Sequence, residues 1–118
     1  MIIRPLTIED LRQWWGDVEL QRTVRGFAVL DGDEVKGVAG LMYLHSSIVA
    51  FAEMGEDGQK HPLTIMRVAR AMKALMRGIV APIFAVADEQ YPNSAGFLKH
   101  CGFEQVVGRQ YVFKNGRG

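Results

Sequence analysis

The sequence predicts one α+β domain, on three observations. Apolar runs at 26–30, 35–44 and 48–54 are separated by short turn segments, which makes an antiparallel meander. A helical apolar stripe over 62–77 then leads to another apolar run at 83–87, the layout of a crossover unit. Finally, 118 residues of which 48% are hydrophobic, with a formal net charge of +1, suit a single buried core without linker or repeat.

Residues 2–6 form a strand whose Pro5 suits an edge or a strand end, because proline donates nothing to a ladder. Thr7 followed three residues later by Asp10 is a variant capping box, so a helix starts at Ile8. Ile8, Leu11, Trp15 and Val18 share its apolar face, and Trp14, about 100° round the axis, falls at the margin. Two roles are open to Trp14: covering the edge of the core, or lining a binding pocket or an interface, where aromatic side chains are enriched. After the strand at 26–30, Asp31, Gly32 and Asp33 supply a hairpin turn. Gly37 and Gly40 in the next strand mark a bulge or a close neighbour. The strand at 48–54 carries one charge, Glu53.

A polar loop at 55–61 precedes Pro62, whose missing N–H is not needed in the first turn of a helix. That helix runs to Arg77, burying Ile65, Val68, Ala69, Met72, Leu75, Met76 and Ile79 and presenting Arg67, Arg70, Lys73 and Arg77. Residues 83–87 read as a buried strand. A turn at Tyr91 and Pro92 follows, then Asn93 as N-cap of a helix over 94–101 that Gly102 ends. Strands at 103–107 and 110–114, broken at Gly108, and a frayed tail complete the chain.

Composition narrows the partners. No apolar run reaches the roughly 20 residues of a membrane span, and the start Met1-Ile2-Ile3-Arg4 lacks a signal peptide's layout, so a cytoplasmic protein without membrane contact is expected. Cys101 is the only cysteine, which excludes an internal disulfide and suits a buried packing residue. His45, His61 and His100 lack metal-ligand spacing, so no metal is expected. The basic side of the 62–77 helix reads as a solvated face, with phosphate contacts as the alternative. It has no interleaved aromatics, and a nucleic-acid partner is not expected.

The stretch 82–103, PIFAVADEQYPNSAGFLKHCGF, resembles the closing third of the GNAT superfamily of N-acetyltransferases on Ser94, Phe97, Leu98, Gly102 and Phe103, with Tyr91 where Asn is usual. The opening Ile3-Arg4-Pro5-Leu6-Thr7 with Asp10-Leu11, and the order of elements, resemble that family over nearly the whole length. The Ile-Arg-Pro start and Phe97-Leu98-Lys99 are also similar to short GNAT-like proteins of tailed phages. The resemblance implies a single GNAT-like domain over 1–118: a central, mostly antiparallel sheet with one parallel crossover pair and helices on both faces.

It also implies transfer of an acetyl group from acetyl-CoA to an amine by direct attack. Glu53 stands where the family carries its general base, a solvated strand-end glutamate being the other reading, and the backbone at Met54 and Gly55 would meet the thioester arm. The frame Gln59-Lys60-His61-Pro62-Leu63-Thr64 stands at the family's phosphate loop, Gln/Arg-x-x-Gly-x-Gly/Ala. That assigns Gln59, Lys60, His61 and Thr64 to the phosphates, with Pro62 and Thr64 replacing two small residues. Ser94 joins the cofactor site from the closing helix, and Trp14 is the candidate for the acceptor. Leu98 stands where many members use a tyrosine to protonate the thiolate; a thiol with an ordinary pKa near 8.5 leaves without a strong acid. The implied partners are an amine, small or on a protein, and a second copy of the chain. Two readings stay open. Glu53 and Gln59 favour an N-acyltransferase, whereas Pro62 and Thr64 favour a GNAT-fold protein without a working cofactor site that serves as a binding or structural component.

Overall fold

The computed structural model describes residues 1–16, 23–87 and 94–114. In chain order these form β1 (Ile2–Pro5), α1 (Ile8–Trp15), β2 (Thr23–Asp31), β3 (Glu34–Tyr43), β4 (Ile48–Met54), α2 (Glu56–Gln59), α3 (Pro62–Arg77), β5 (Ile83–Val86), α4 (Ser94–His100), β6 (Glu104–Val107) and β7 (Gln110–Phe113). The strands make one seven-stranded sheet in the order β1-β2-β3-β4-β5-β7-β6. Every neighbouring pair is antiparallel except β4 and β5, which the crossover through α2 and α3 makes parallel.

Alternation along each strand sends successive side chains to opposite faces. On one face Val29, Ala39, Leu41, Ala50, Ile83 and Ala85 pack with Val68, Ala69, Met72 and Met76 of α3 and with Leu98 of α4. On the other, Ala28, Leu30, Val35 and Val38 pack with Leu11 of α1, and Trp14, Trp15 and Phe51 close over them. Helices therefore cover both faces of an α+β sheet. None of the helices among the described residues is long and apolar enough to cross a membrane.

The start of α1 is tied down as its sequence predicts. The Thr7 backbone N–H donates to Asp10 Oδ2 at 2.9 Å and the Asp10 N–H to Thr7 Oγ1 at 3.2 Å, a complete capping box. Arg4 on β1 adds a bidentate pair, Nη1 to Oδ2 at 2.6 Å and Nη2 to Oδ1 at 2.7 Å. Burial alone would raise the Asp10 carboxyl, but the Arg4 guanidinium and the Thr7 donors outweigh it and hold it below the usual carboxylate range.

The bulge lies in β3 beside Gly37: Val29 and Leu30 of β2 pair with Gly37 and Val35, which leaves Lys36 as the extra residue. Gly40 instead faces Gly26 across the β2–β3 pair, where a Cβ on either would meet the other strand's backbone. Other elements depart from the sequence reading. The polar loop at 55–61 contains the one-turn helix α2, closed by the Gln59 N–H on the Gly55 carbonyl at 3.0 Å. The buried side of α3 is turned toward Thr64, which is 8% exposed, while Ile65, Leu75 and Ile79 are only partly covered. β5 is buried on one face alone: Phe84 and Val86 are exposed beside fully enclosed Ile83. Among the described residues no helix lies over that side of β5, so the alternation shows through an apolar run that the sequence reads as buried throughout.

The end of α4 keeps the expected glycine. Gly102 has φ 99°, the Phe103 N–H donates to the Leu98 carbonyl at 2.9 Å, and the Gly102 N–H donates to the Lys99 carbonyl at 3.0 Å. These are the two bonds of a Schellman motif, and they return Phe103 to the core beside Leu98. Val18 of the α1 stripe, the Tyr91 turn with its Asn93 cap, and the tail at 115–118 lie outside the described residues.

Candidate functional site

β4 and β5 are in register only at Ile48 with Ile83 and Val49 with Phe84. Beyond those pairs β4 runs on to Met54 beside β3, and β5 to Val86 beside β7, without bonding each other. A sheet interrupted in its middle leaves backbone groups and side chains of both strands facing a gap. A cleft of about 600 Å³ opens there, a size suited to a small-molecule site.

The cleft is mainly apolar. Ala50, Ala52 and Met54 of β4, Ala85 and Val86 of β5, Pro62, Ile65 and Met66 of α3, and Phe97 of α4 form most of its wall. Glu53, Gln59, Ser94 and His100 supply the polar side chains. Glu53 is half-buried, and its Oε2 accepts hydrogen bonds from Trp14 Nε1 at 2.7 Å and Trp15 Nε1 at 2.6 Å. Among the described residues no cation pairs with it. A carboxylate in an apolar cleft with neutral donors on one oxygen has room on the other for a cationic or proton-donating ligand.

Of the residues singled out from the sequence, Glu53, Met54, Gln59 and Ser94 meet at this cleft. Gly55, Lys60, His61, Thr64 and Trp14 do not line it. The Gly55 N–H donates to the Lys36 carbonyl at 2.9 Å, and the Gln59 side chain turns back to donate from Nε2 to the Met54 carbonyl at 2.9 Å. Thr64 points into the core, Trp14 stands behind Glu53, and Lys60 and His61 are exposed before α3. At the head of α3, His61 makes no side-chain cap and the first turn holds no acid, so the amides of Leu63 and Thr64 have no side-chain cap from it. Two groups escape the sequence reading. Trp15 meets Glu53 across 38 residues, a contact without a sequence signal. His100 reaches the cleft because α4 is only two turns long, so its last residue remains beside the opening.

The chain matches no protein-family model and no curated protein. What the fold and cleft define is a class: an α+β protein with an apolar cleft at a fork between two parallel strands of an otherwise antiparallel sheet.

Proposed function

We propose that the chain is a GNAT-type N-acyltransferase that moves an acetyl group from acetyl-CoA to an amine. The observation that carries this reading is the fork between β4 and β5, with Glu53 at an apolar cleft of about 600 Å³. The strand order and the covering of both faces agree with it.

The cleft fits the apolar part of the thioester arm, with Met54 and Ala52 on one side and Phe97 on the other. For the phosphates, the uncapped amides of Leu63 and Thr64 at the positive end of α3 are the donors, with Lys60 as the nearby cation. Acetyl-CoA, when bound, supplies an activated acetyl group and a thiolate leaving group. Glu53 would attract an acceptor that arrives as an ammonium ion and take its proton on Oε1, leaving a neutral nitrogen able to attack. The N–C bond forms as the C–S bond breaks, and the second proton lost from the nitrogen passes to the departing thiolate to give the free thiol.

A second reading has its own observation. Within the chain the Met54 carbonyl is already bonded to Gln59 and the Gly55 amide to Lys36. A protein that fills these backbone groups internally fits a binding or structural role on the same fold. Thermal unfolding with acetyl-CoA separates the two. Ligand at 100 times its dissociation constant stabilises the folded state by about 2.7 kcal/mol and raises the midpoint by about 10 °C for a chain of this size. An unmoved midpoint at millimolar acetyl-CoA sinks the acyltransferase reading. With a working enzyme, Glu53→Gln lowers kcat and leaves acetyl-CoA affinity unchanged.

A further inference from the structure

Neighbouring residues on a helix point about 100° apart, yet Trp14 and Trp15 bring both indole nitrogens to one atom, Glu53 Oε2. Their separations, 2.7 and 2.6 Å, are shorter than the usual N–H···O distance and suit an ionised acceptor. Each carboxylate oxygen offers two lone-pair sites, so Oε2 is filled. Oε1 accepts no hydrogen bond from the described residues. The indoles are themselves held in place: both pack on the smaller core, and the Trp15 ring lies 5.3 Å from that of Phe51 at 53°. An indole N–H donates and cannot accept, so the pair can hold the carboxylate without competing for a proton.

We propose that Trp14 and Trp15 are positioning residues for Glu53. They grip one oxygen, fix the plane of the carboxylate, and direct the other oxygen to the cleft as the place where an acceptor amine leaves its proton. One donor would let the carboxylate swing about a single bond; two donors from a rigid helix on one oxygen remove that freedom. The proton-accepting role rests on the acyltransferase reading, whereas the grip itself does not.

The test has two arms, using Trp14→Phe and Trp15→Phe, which keep an aromatic ring and lose the N–H, and Glu53→Gln. In NMR spectra of protein labelled at the indole nitrogens, both N–H signals of the native chain are shifted downfield and exchange slowly. Glu53→Gln moves both together, and each Trp→Phe change removes one signal and leaves the other protected. A Glu53→Gln spectrum in which one signal or neither moves overturns the grip. In the acetyl-transfer assay each Phe variant lowers kcat on the order of tenfold while KM for acetyl-CoA stays unchanged. A merely structural tryptophan would lower the melting temperature without that split. Phe variants with full kcat overturn the positioning role and leave the acyltransferase reading intact. If the native chain binds no acetyl-CoA, that reading and the proton-accepting role both fall, and the indole signals alone decide the grip.

Discussion

Ile83 stands at the fork, in register with Ile48 on one side and Phe113 on the other, and is fully enclosed. Ile83→Ala removes three carbons worth about 0.8 kcal/mol each in transfer from water, or roughly 2.4 kcal/mol. The cavity left between β4, β7 and α3 adds to this, giving about 3 kcal/mol, within the range of buried isoleucine truncations. At roughly 2.1 cal/mol/K per residue, unfolding 118 residues carries ~0.25 kcal/mol/K, so the midpoint falls by about 12 °C. Val86 lies on the same strand, three residues on, but is 61% exposed. Val86→Ala therefore changes stability by less than about 0.5 kcal/mol, or about 2 °C. Circular dichroism melts of the three proteins, supported by calorimetry, measure both shifts. A fall below about 5 °C for Ile83→Ala, or equal falls for the two variants, would refute the assignment of β5's faces and with it the geometry of the cleft.

Three further outcomes follow from the same structure. Asp10→Asn keeps one oxygen for the Thr7 N–H but removes the charge opposite Arg4 and turns an NH2 donor toward its guanidinium, destabilising the chain at neutral pH by about 1 kcal/mol. Because the folded carboxyl lies below its ordinary value, its stabilisation is present above about pH 4 and is lost as the pH falls through the folded value, so melts of the two proteins converge in acid. Cys101 is buried, and burial pushes its thiol up to about 12 although Lys73 partly opposes the shift. A thiol reagent at pH 8 should thus leave native protein unlabelled and titrate one thiol per chain in denaturant; the stabilisation from a neutral buried thiol is complete below about pH 8.5 and declines as the pH approaches the folded value. Gly102→Ala places a Cβ at positive φ and 3.0 Å from the Phe113 ring, so it should lower stability by about 1–2 kcal/mol; an unchanged melt would show that the Schellman turn relaxes freely.

Several of these features were legible because they are local. Thr7 and Asp10 are three residues apart, and their side chains reach each other's amides whatever the rest of the chain does. Gly102 ends α4 through its own backbone freedom, and Pro62 opens α3. The meander was readable from alternating apolar runs, and the crossover from a helix placed between two such runs. The Trp14–Trp15 pair was not. Helical spacing assigns them to different directions, but both side chains are long enough to converge on a carboxylate that the β3–β4 pairing brings under α1.

The sequence by itself determined where most elements lie, which faces of α1 and α3 carry apolar side chains, and the α+β class, although it missed α2 and placed the start of β2 three residues late. Those properties depend on backbone freedom and on periods of two and 3.6 residues, which neighbouring residues specify. Tertiary structure alone decided that β4 and β5 part after two pairs, that β5 is covered on one side, that Thr64 turns inward, and that Gln59 bonds to Met54. Each depends on which segments meet across tens of residues, and the energy of such a contact is set by both partners together. The candidate site is built almost wholly from meetings of this kind, at the fork where β4 and β5 separate.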